Sequence, residues 1–124
     1  MAITNYGVQA ITWCIGSNIS NNYIQYCSIG SGSGTFVATQ TTLLNETDRN
    51  PITGSPDFTT SKKVSFQFDF NSVELSGLHF TEFGFLGSYG PGSPGSMWQI
   101  ERLGSILFDG TNELQIISTI EVIN

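Results

Sequence analysis

A stretch of strict alternation between apolar and polar residues lies near the middle of the chain. In segment 62–70 the apolar side chains are those of Val64, Phe66, Phe68 and Phe70, and they alternate with Ser65, Gln67 and Asp69. A period of two places the two sets on opposite faces of a β-strand. Aromatic and β-branched residues suit a strand that is buried on one side. One face is therefore an apolar wall, which must be covered by a second layer of structure.

Further short segments of strand-like sequence are separated by turns rich in glycine, proline and asparagine. In chain order they are 23–29, a segment starting near Ile52, 79–86, 97–103, 105–108 and 113–123. Asp109-Gly110 is a hairpin signal before the last of them. About six to eight short strands with such turns predict an all-β domain built as an antiparallel β-sandwich. The segment 39–49 is interpreted as a short helical or irregular link, and Asn71-Ser72 as the start of a loop.

The N-terminal segment, from about Thr4 to Ile15, predicts one short helix. Its apolar residues fall at i, i+3 and i+7, on one helical face: Val8, Ile11 and Ile15. Thr4 or Asn5 suits the N-terminal cap, and Gly16 stands where a C-terminal cap belongs. An extended segment is the alternative, because several of these residues are also good strand formers. We expect a single domain of residues 1–124, with 1–16 as a helix or arm and 17–124 as the sandwich.

Charge is scarce in this chain. Charged residues make up 11% of its 124 residues, compared with about 25% in ordinary globular proteins. This composition favours a β protein that packs against neighbours, although a serine- and threonine-rich sandwich explains it equally well. The net charge of -6 and the single basic doublet, Lys62-Lys63, argue against nucleic-acid binding. The apolar runs are too short for a bilayer-spanning helix, and Met1–Asn5 has no charged region typical of a secretory signal.

The residue types needed for catalysis or cofactor binding do not form a recognisable pattern. The one histidine, His79, lies in a predicted strand, where a structural or surface role is expected. The glycine-rich segment 30–34 lacks both the third glycine of a dinucleotide-binding loop and a Walker lysine, so it is interpreted as a plain turn. Cys14 and Cys27 lie in apolar stretches and are expected to be buried free thiols. We therefore expect no enzyme, no metal and no cofactor.

Two groups of residues are candidates for a structural or binding role. Glu82 lies among aromatic residues, and a carboxylate on an apolar face requires a partner. Arg49 and Arg102 are the candidates for a structural ion pair with it. The segment 88–96 is expected to be an exposed loop that joins two strands. With Trp98 it forms a candidate contact loop, whose named members are Tyr89, Pro91, Pro94 and Trp98. Exposed, adjacent Tyr89 and Trp98 side chains would form a sugar-stacking shelf, whereas a core position is the default for Trp98 in a strand.

Five segments together resemble motifs of small structural proteins of tailed bacteriophages. Tyr26–Gly32 is similar to their Y-x-x-I-G-x-G strand and loop, Leu43–Arg49 to L-x-x-E-x-x-R, and Phe80–Phe85 to x-x-E-x-G-L, with Phe85 in place of leucine. Trp98–Arg102 and Phe108–Ile116 resemble their C-terminal hairpin. The order and spacing of these segments hold from about Tyr23 to Ile123.

The resemblance implies a non-enzymatic virion component built from a β-sandwich and present in many copies. It implies a tail or adsorption-apparatus protein that contacts other virion proteins, forms a homo-oligomer (a trimer or hexamer) and is assembled in the host cytoplasm. The alternatives are a capsid decoration or head-fibre protein, or a carbohydrate-binding module that contacts a host surface glycan. A structural role for four charged residues also follows from the resemblance: Glu46, Arg49, Glu82 and Arg102.

Overall fold

The computed structural model describes residues 2–15, 24–35, 37–58, 62–87 and 97–121. The helices are α1 (Asn5–Ile15) and α2 (Ser72–Leu75). The strands are β1 (Ala2–Ile3), β2 (Tyr26–Gly30), β3 (Glu46–Pro51), β4 (Lys63–Phe70), β5 (His79–Leu86), β6 (Met97–Leu107) and β7 (Leu114–Glu121). Within these described ranges, no helix is both long and apolar enough to cross a membrane.

The strands form two antiparallel sheets of unequal width. The larger sheet has the strand order β1-β6-β5-β2-β3, and the smaller sheet consists of β4 and β7. Their inner faces pack together, with helix α1 beside β6. This arrangement confirms the predicted all-β, sandwich-like fold with one N-terminal helix.

The predicted phenylalanine wall forms the centre of the core. Phe66, Phe68 and Phe70 are all buried on the inner face of β4. The ring of Phe68 packs on that of Phe85 in β5, with 5.6 Å between the ring centroids. The alternation of residues in β4 therefore determines which face of the small sheet meets the large one.

Strand β3 was not expected, because 39–49 was interpreted as a helical or irregular link. The strand starts at Glu46 and ends at Pro51, before the position near Ile52 where a strand was expected. Its sequence is almost entirely polar, since it is an edge strand and Arg49 is its one buried residue. Apolar alternation, the usual signal for a strand, is therefore missing.

Two smaller expectations were also wrong. The segments 97–103 and 105–108 are one strand, β6, whose register shifts where Thr81 of β5 faces Leu103–Ser105. Residues 72–75 form a helical turn rather than a loop. Asn71 caps that turn with a reciprocal capping box to Glu74.

Helix α1 confirms the predicted helix, but its expected apolar face points to solvent. The Thr4 hydroxyl accepts a hydrogen bond from the Gly7 amide at 3.0 Å and so caps the helix. Val8 is 57% exposed and Ile11 is 42% exposed. Contact with β6 is made through Gly7, where an added Cβ would lie 2.5 Å from the Trp98 carbonyl oxygen. The side chain of Ile15, and Gly16, lie outside what the structure describes.

Candidate functional site

Glu82 is a fully buried carboxylate that binds three backbone amides. It lies on β5, on the face of the large sheet that points away from the phenylalanine wall. Its carboxylate accepts hydrogen bonds from the N–H groups of Gly32 at 2.7 Å, Leu44 at 2.9 Å and Asn45 at 3.0 Å. The first donor lies at one end of segment 31–45 and the other two lie at its far end. Glu82 therefore fastens both ends of this segment, which we call the covering loop.

Arg102 supplies the positive charge that Glu82 requires. The two residues are direct partners in the β5–β6 ladder, and Arg102 Nη1 donates to Glu82 Oε1 at 2.9 Å. The Arg102 side chain is partly exposed, whereas that of Glu82 is completely buried. Within the described ranges, Arg102 Nε and Nη2 are buried and have no hydrogen-bond partner. The sequence offered two arginines for Glu82, and the structure pairs it with Arg102.

The other two charged candidates pair with each other. Arg49 is buried on β3, and its Nη2 and Nε donate to Glu46 Oε1 at 2.7 Å and 3.2 Å. The pair is local, three residues apart on one edge strand. The structure thus brings the four charged residues together as two ion pairs, Glu82 with Arg102 and Glu46 with Arg49.

The covering loop is the part of this site that sequence reasoning missed. The glycines of segment 30–34 were interpreted as a plain turn, but two of them are required by close contact. A Cβ on Gly32 would lie 2.1 Å from Glu82 Oε2, and one on Gly30 would lie 2.3 Å from the Asn45 carbonyl oxygen. The signal was present, because a carboxylate among aromatic residues requires several donors. Neither Leu44 nor Asn45 was distinguishable as a backbone donor.

The covering loop gives the large sheet a second buried face. Leu43 from the loop packs with Leu86, Met97 and Ile100 in a cluster separate from the main core. The Thr81 hydroxyl donates to the Gly32 carbonyl at 2.6 Å, which adds a further attachment. Strands β5 and β6 are therefore buried on both faces in their central part.

Among the described residues, the candidate contact loop provides no sugar-stacking shelf. Trp98 lies in β6 and is only 7% exposed, the core position expected for an aromatic residue in a strand. Tyr89, Pro91 and Pro94 lie outside the described residues.

Cys27 is a buried free thiol, and burial raises its pKa well above the ordinary value. The Cys14 side chain is also outside what is described.

One pair of carboxylates interacts directly. Burial raises the pKa of Asp48, and a side-chain hydrogen bond to Glu74 and repulsion from that carboxylate raise it further. Each of the two carboxylates also accepts a hydrogen bond from a backbone amide. Asp48 accepts from Arg49 at 2.8 Å, and Glu74 accepts from Asn71 at 3.0 Å in the capping box of α2. Both carboxylates therefore already stabilise local backbone structure.

Several surface concavities adjoin the sandwich, and two of them are candidates for binding. An acidic one of about 580 Å³ is lined by Asp69, Glu74 and Glu113 together with neighbouring polar groups. Hydrogen bonds from Gln115 and then Gln67 lower the pKa of Asp69. Nowhere in the described ranges do three or more metal-ligating side chains form a group that could hold a metal ion.

The second concavity is an apolar groove of about 280 Å³ between the two sheets, on the side where β6 and β7 lie. Its lining residues are Ile3, Ile11, Ile24, Val64, Phe66, Trp98, Gln99 and Ile120. The exposed face of α1 continues this groove, because Ile11 belongs to both. In the part of the chain that the structure describes, this side of the sandwich thus presents an apolar surface.

Comparison with protein-family models and with curated proteins gave no match for this chain. Its function must therefore be argued from the residues and contacts described above.

Proposed function

We propose that this protein is a non-enzymatic structural subunit of a bacteriophage virion, part of the tail or adsorption apparatus, and that it acts through protein–protein contacts. The observation that carries the proposal is the set of apolar side chains exposed on strands β6 and β7. Ile106 and Leu107 on β6 are 50% and 60% exposed, and Ile117 on β7 is 57% exposed. Soluble monomers rarely leave such strands uncovered.

The charged residues support the same proposal. Two of the described ion pairs, Glu82 with Arg102 and Glu46 with Arg49, are used inside the fold. A catalytic carboxylate needs access to substrate, whereas that of Glu82 is closed off by the covering loop. The placement in a phage tail rests on the resemblance of five sequence segments and on the low charge of the chain.

The proposal is tested on particles purified from the source that encodes the chain. Mass spectrometry should detect the protein in many copies per particle, and antibody labelling should place it at the tail. Labelling of the head instead would favour the alternative of a capsid decoration or head-fibre protein. Absence from purified particles would overturn the virion role.

A carbohydrate-binding role is the second alternative, and the buried position of Trp98 weighs against it. The described surface offers no shelf formed by Trp98 on which a sugar ring could stack. Screening the protein against host surface polysaccharides separates the two roles. Binding that survives Trp98→Phe would place a glycan site elsewhere on the protein.

A hydrolytic role would rest on the Asp48–Glu74 pair, because two close carboxylates, of which Asp48 has a raised pKa, resemble a usual acid–base arrangement. Their backbone contacts argue for a structural role instead. Turnover of a polysaccharide substrate that is lost in Asp48→Asn would instead support this hydrolytic role.

A further inference from the structure

The free edge of strand β7 can be defined from the hydrogen bonds of its partner, β4. Ser65 exchanges backbone hydrogen bonds with Asp57, and the Gln67 carbonyl accepts from the Thr53 amide. The odd-numbered residues of β4 therefore direct their backbone groups away from β7. The even-numbered residues bond β7, and their partners there are Leu114, Ile116, Ser118 and Ile120.

It follows that the odd-numbered residues of β7 direct their backbone groups toward the opposite edge. These residues are Gln115, Ile117, Thr119 and Glu121. No strand in the described part of the chain pairs with this edge, because the small sheet consists of β4 and β7 alone. Segments around Thr53 and Asp57 cover the β4 edge, whereas among the described residues the donors and acceptors along the β7 edge have no strand partner.

The composition of β7 makes this edge suited to pairing. Residues 114–120 contain no charge, no proline and no glycine. Natural edge strands are usually protected by lysine, proline, a bulge or shortness. A register shift of this bulge type interrupts β6 at Leu103–Ser105. Strand β7, in contrast, pairs with β4 over eight residues without a shift. The free edge of β7 thus lacks each of these protections.

We propose that the free edge of β7 binds the same strand of a second copy of this chain, antiparallel and across a two-fold axis. The possible registers of β7 against β7 of a second copy differ in the charges that they place opposite each other. The buried faces of the two β7 strands must lie on the same side of the joined sheet, so odd-numbered residues must oppose odd-numbered residues. Two registers that meet this condition come closest to full overlap of the two strands. One of them places Glu113 opposite Glu121 of the second copy, which opposes like charges.

The other register opposes no charges of the same sign. It places Glu121 opposite Gln115, Ile117 opposite Thr119, Ile116 opposite Ile120, and Ser118 opposite Ser118 of the second copy. Glu121 is also close to Lys63 on its own chain, at 3.7 Å, so its charge is already partly balanced. The ladder would hold about eight intermolecular hydrogen bonds, and it joins two narrow sheets into one sheet of four strands.

This inference deepens the proposed assembly role by naming the self-contact of the subunit. The test compares the solution mass of the wild type with that of Ile117→Pro by light scattering and sedimentation across a concentration series. In the isolated subunit the Ile117 amide faces solvent, a position where an edge strand tolerates proline. In the dimer the substitution removes two ladder bonds, one from each copy. The dissociation constant should rise by about 30-fold or more.

The matched control is Ile117→Thr, which keeps the amide and a β-branched side chain and should dimerise like the wild type. A wild type that is monomeric at the highest soluble concentration overturns the proposal and points to an extended segment of another protein as the partner. A dimer that Ile117→Pro leaves unchanged overturns it also, because the contact must then lie elsewhere.

A second measurement decides the matter even where the proline variant does not fold. Ser118→Cys places two thiols opposite each other in a non-hydrogen-bonded pair, at a separation that suits a disulfide. Oxidation with copper phenanthroline should yield a linked dimer, whereas Ser65→Cys on the far strand should give only the wild-type background. Equal cross-linking of both variants would contradict the register. Labelling of particles tests the virion role independently, so each idea can fail without the other.

Discussion

At the scale of single residues, Glu82 is an acidic side chain in a completely buried position. Burial of an isolated carboxylate is costly, but hydrogen bonds from backbone amides and a paired guanidinium offset that cost. Three amides and Arg102 supply those contacts here. The donors belong to chain segments distant in sequence, so this one side chain joins β5, β6 and both ends of the covering loop.

Replacement of Glu82 by alanine should destabilise the protein strongly. It leaves three amides and the Arg102 charge without their partner, and loss of one member of a buried pair costs about 3–5 kcal/mol. Glu113→Ala, at an exposed glutamate, should change the free energy of unfolding by less than about 0.5 kcal/mol. Urea denaturation of both variants gives the comparison. If Glu82→Ala left both stability and assembly unchanged, the structural role of Glu82 would be wrong.

Asp48 should show the opposite behaviour, because its ionised form is disfavoured in the folded state. The pKa of Asp48 is higher in the folded state than in the unfolded state. At a pH below the unfolded-state pKa the group therefore does not lower the free energy of unfolding, and it lowers it progressively as the pH rises through the folded-state pKa. Asp48→Asn should therefore stabilise the protein at neutral pH, by at most about 0.5 kcal/mol because the pair is partly solvated. The gain should vanish near pH 3 in thermal unfolding curves. A gain that persists at low pH would show that charge is not its cause.

At the scale of elements, the covering loop depends on backbone geometry more than on side chains. Its hydrogen bonds to Glu82 are made by main-chain amides, and the Ser31 amide donates to the Asn45 carbonyl at 3.1 Å. Gly32 within the loop and Gly30 directly before it both lack the space for a Cβ. The glycines are thus required because the chain approaches closely here.

Gly32→Ala should weaken this loop without changing any charge. Its Cβ would displace the Glu82 carboxylate and stretch the hydrogen bond at the Gly32 amide, at a cost of about 1–3 kcal/mol. Gly104→Ala is the matched control, because a Cβ at that position meets nothing within 4 Å. Thermal unfolding should separate the two variants. Equal stability of both would mean that the loop can shift to make room.

The elements differ in how well the sequence predicts them. Strand β4 was predictable because one of its faces is buried against another layer, which produces strict alternation of residue types. Strand β3 was not predictable, because an edge strand held by backbone hydrogen bonds and one ion pair needs no apolar face. The apolar spacing in α1 correctly predicted a helix but not its orientation, since the close contact is made at Gly7.

The candidate site was predictable in part. The need of Glu82 for a cationic partner follows from its sequence neighbours, and the same reasoning suggested Arg102. The backbone donors were not predictable, because every residue carries the same amide. The residue across the ladder from Glu82 depends on strand register, which bulges alter.

At the scale of the whole molecule, a two-stranded sheet stays folded because a larger sheet covers one of its faces. An isolated pair of strands is marginally stable in water. Here the inner face of β4 is buried against β5, and helix α2 adds the buried Leu75 at one end. Stability of the small sheet therefore depends on packing between the layers.

Phe68→Ala should consequently unfold the small sheet together with the large one, in a single transition. Phe68 is fully buried, and truncation of such a side chain costs about 3–5 kcal/mol. Phe58→Ala removes the same atoms from a position that is 71% exposed and should have little effect. Unfolding followed by far-ultraviolet circular dichroism and by tryptophan fluorescence should give coincident curves. Separate transitions for Phe68→Ala would indicate that the two layers fold independently.

The way Glu82 holds the covering loop also bears on how this protein can change over time and be engineered. The carboxylate recognises only main-chain amides at the two ends of the loop, so the exposed residues between them, such as Ser33 and Thr35, are under little constraint from it. Longer connections between fixed ends add only slowly to the entropy of closure. These exposed positions are therefore where sequence could drift or peptides could be inserted while the β-sandwich beneath them stays intact.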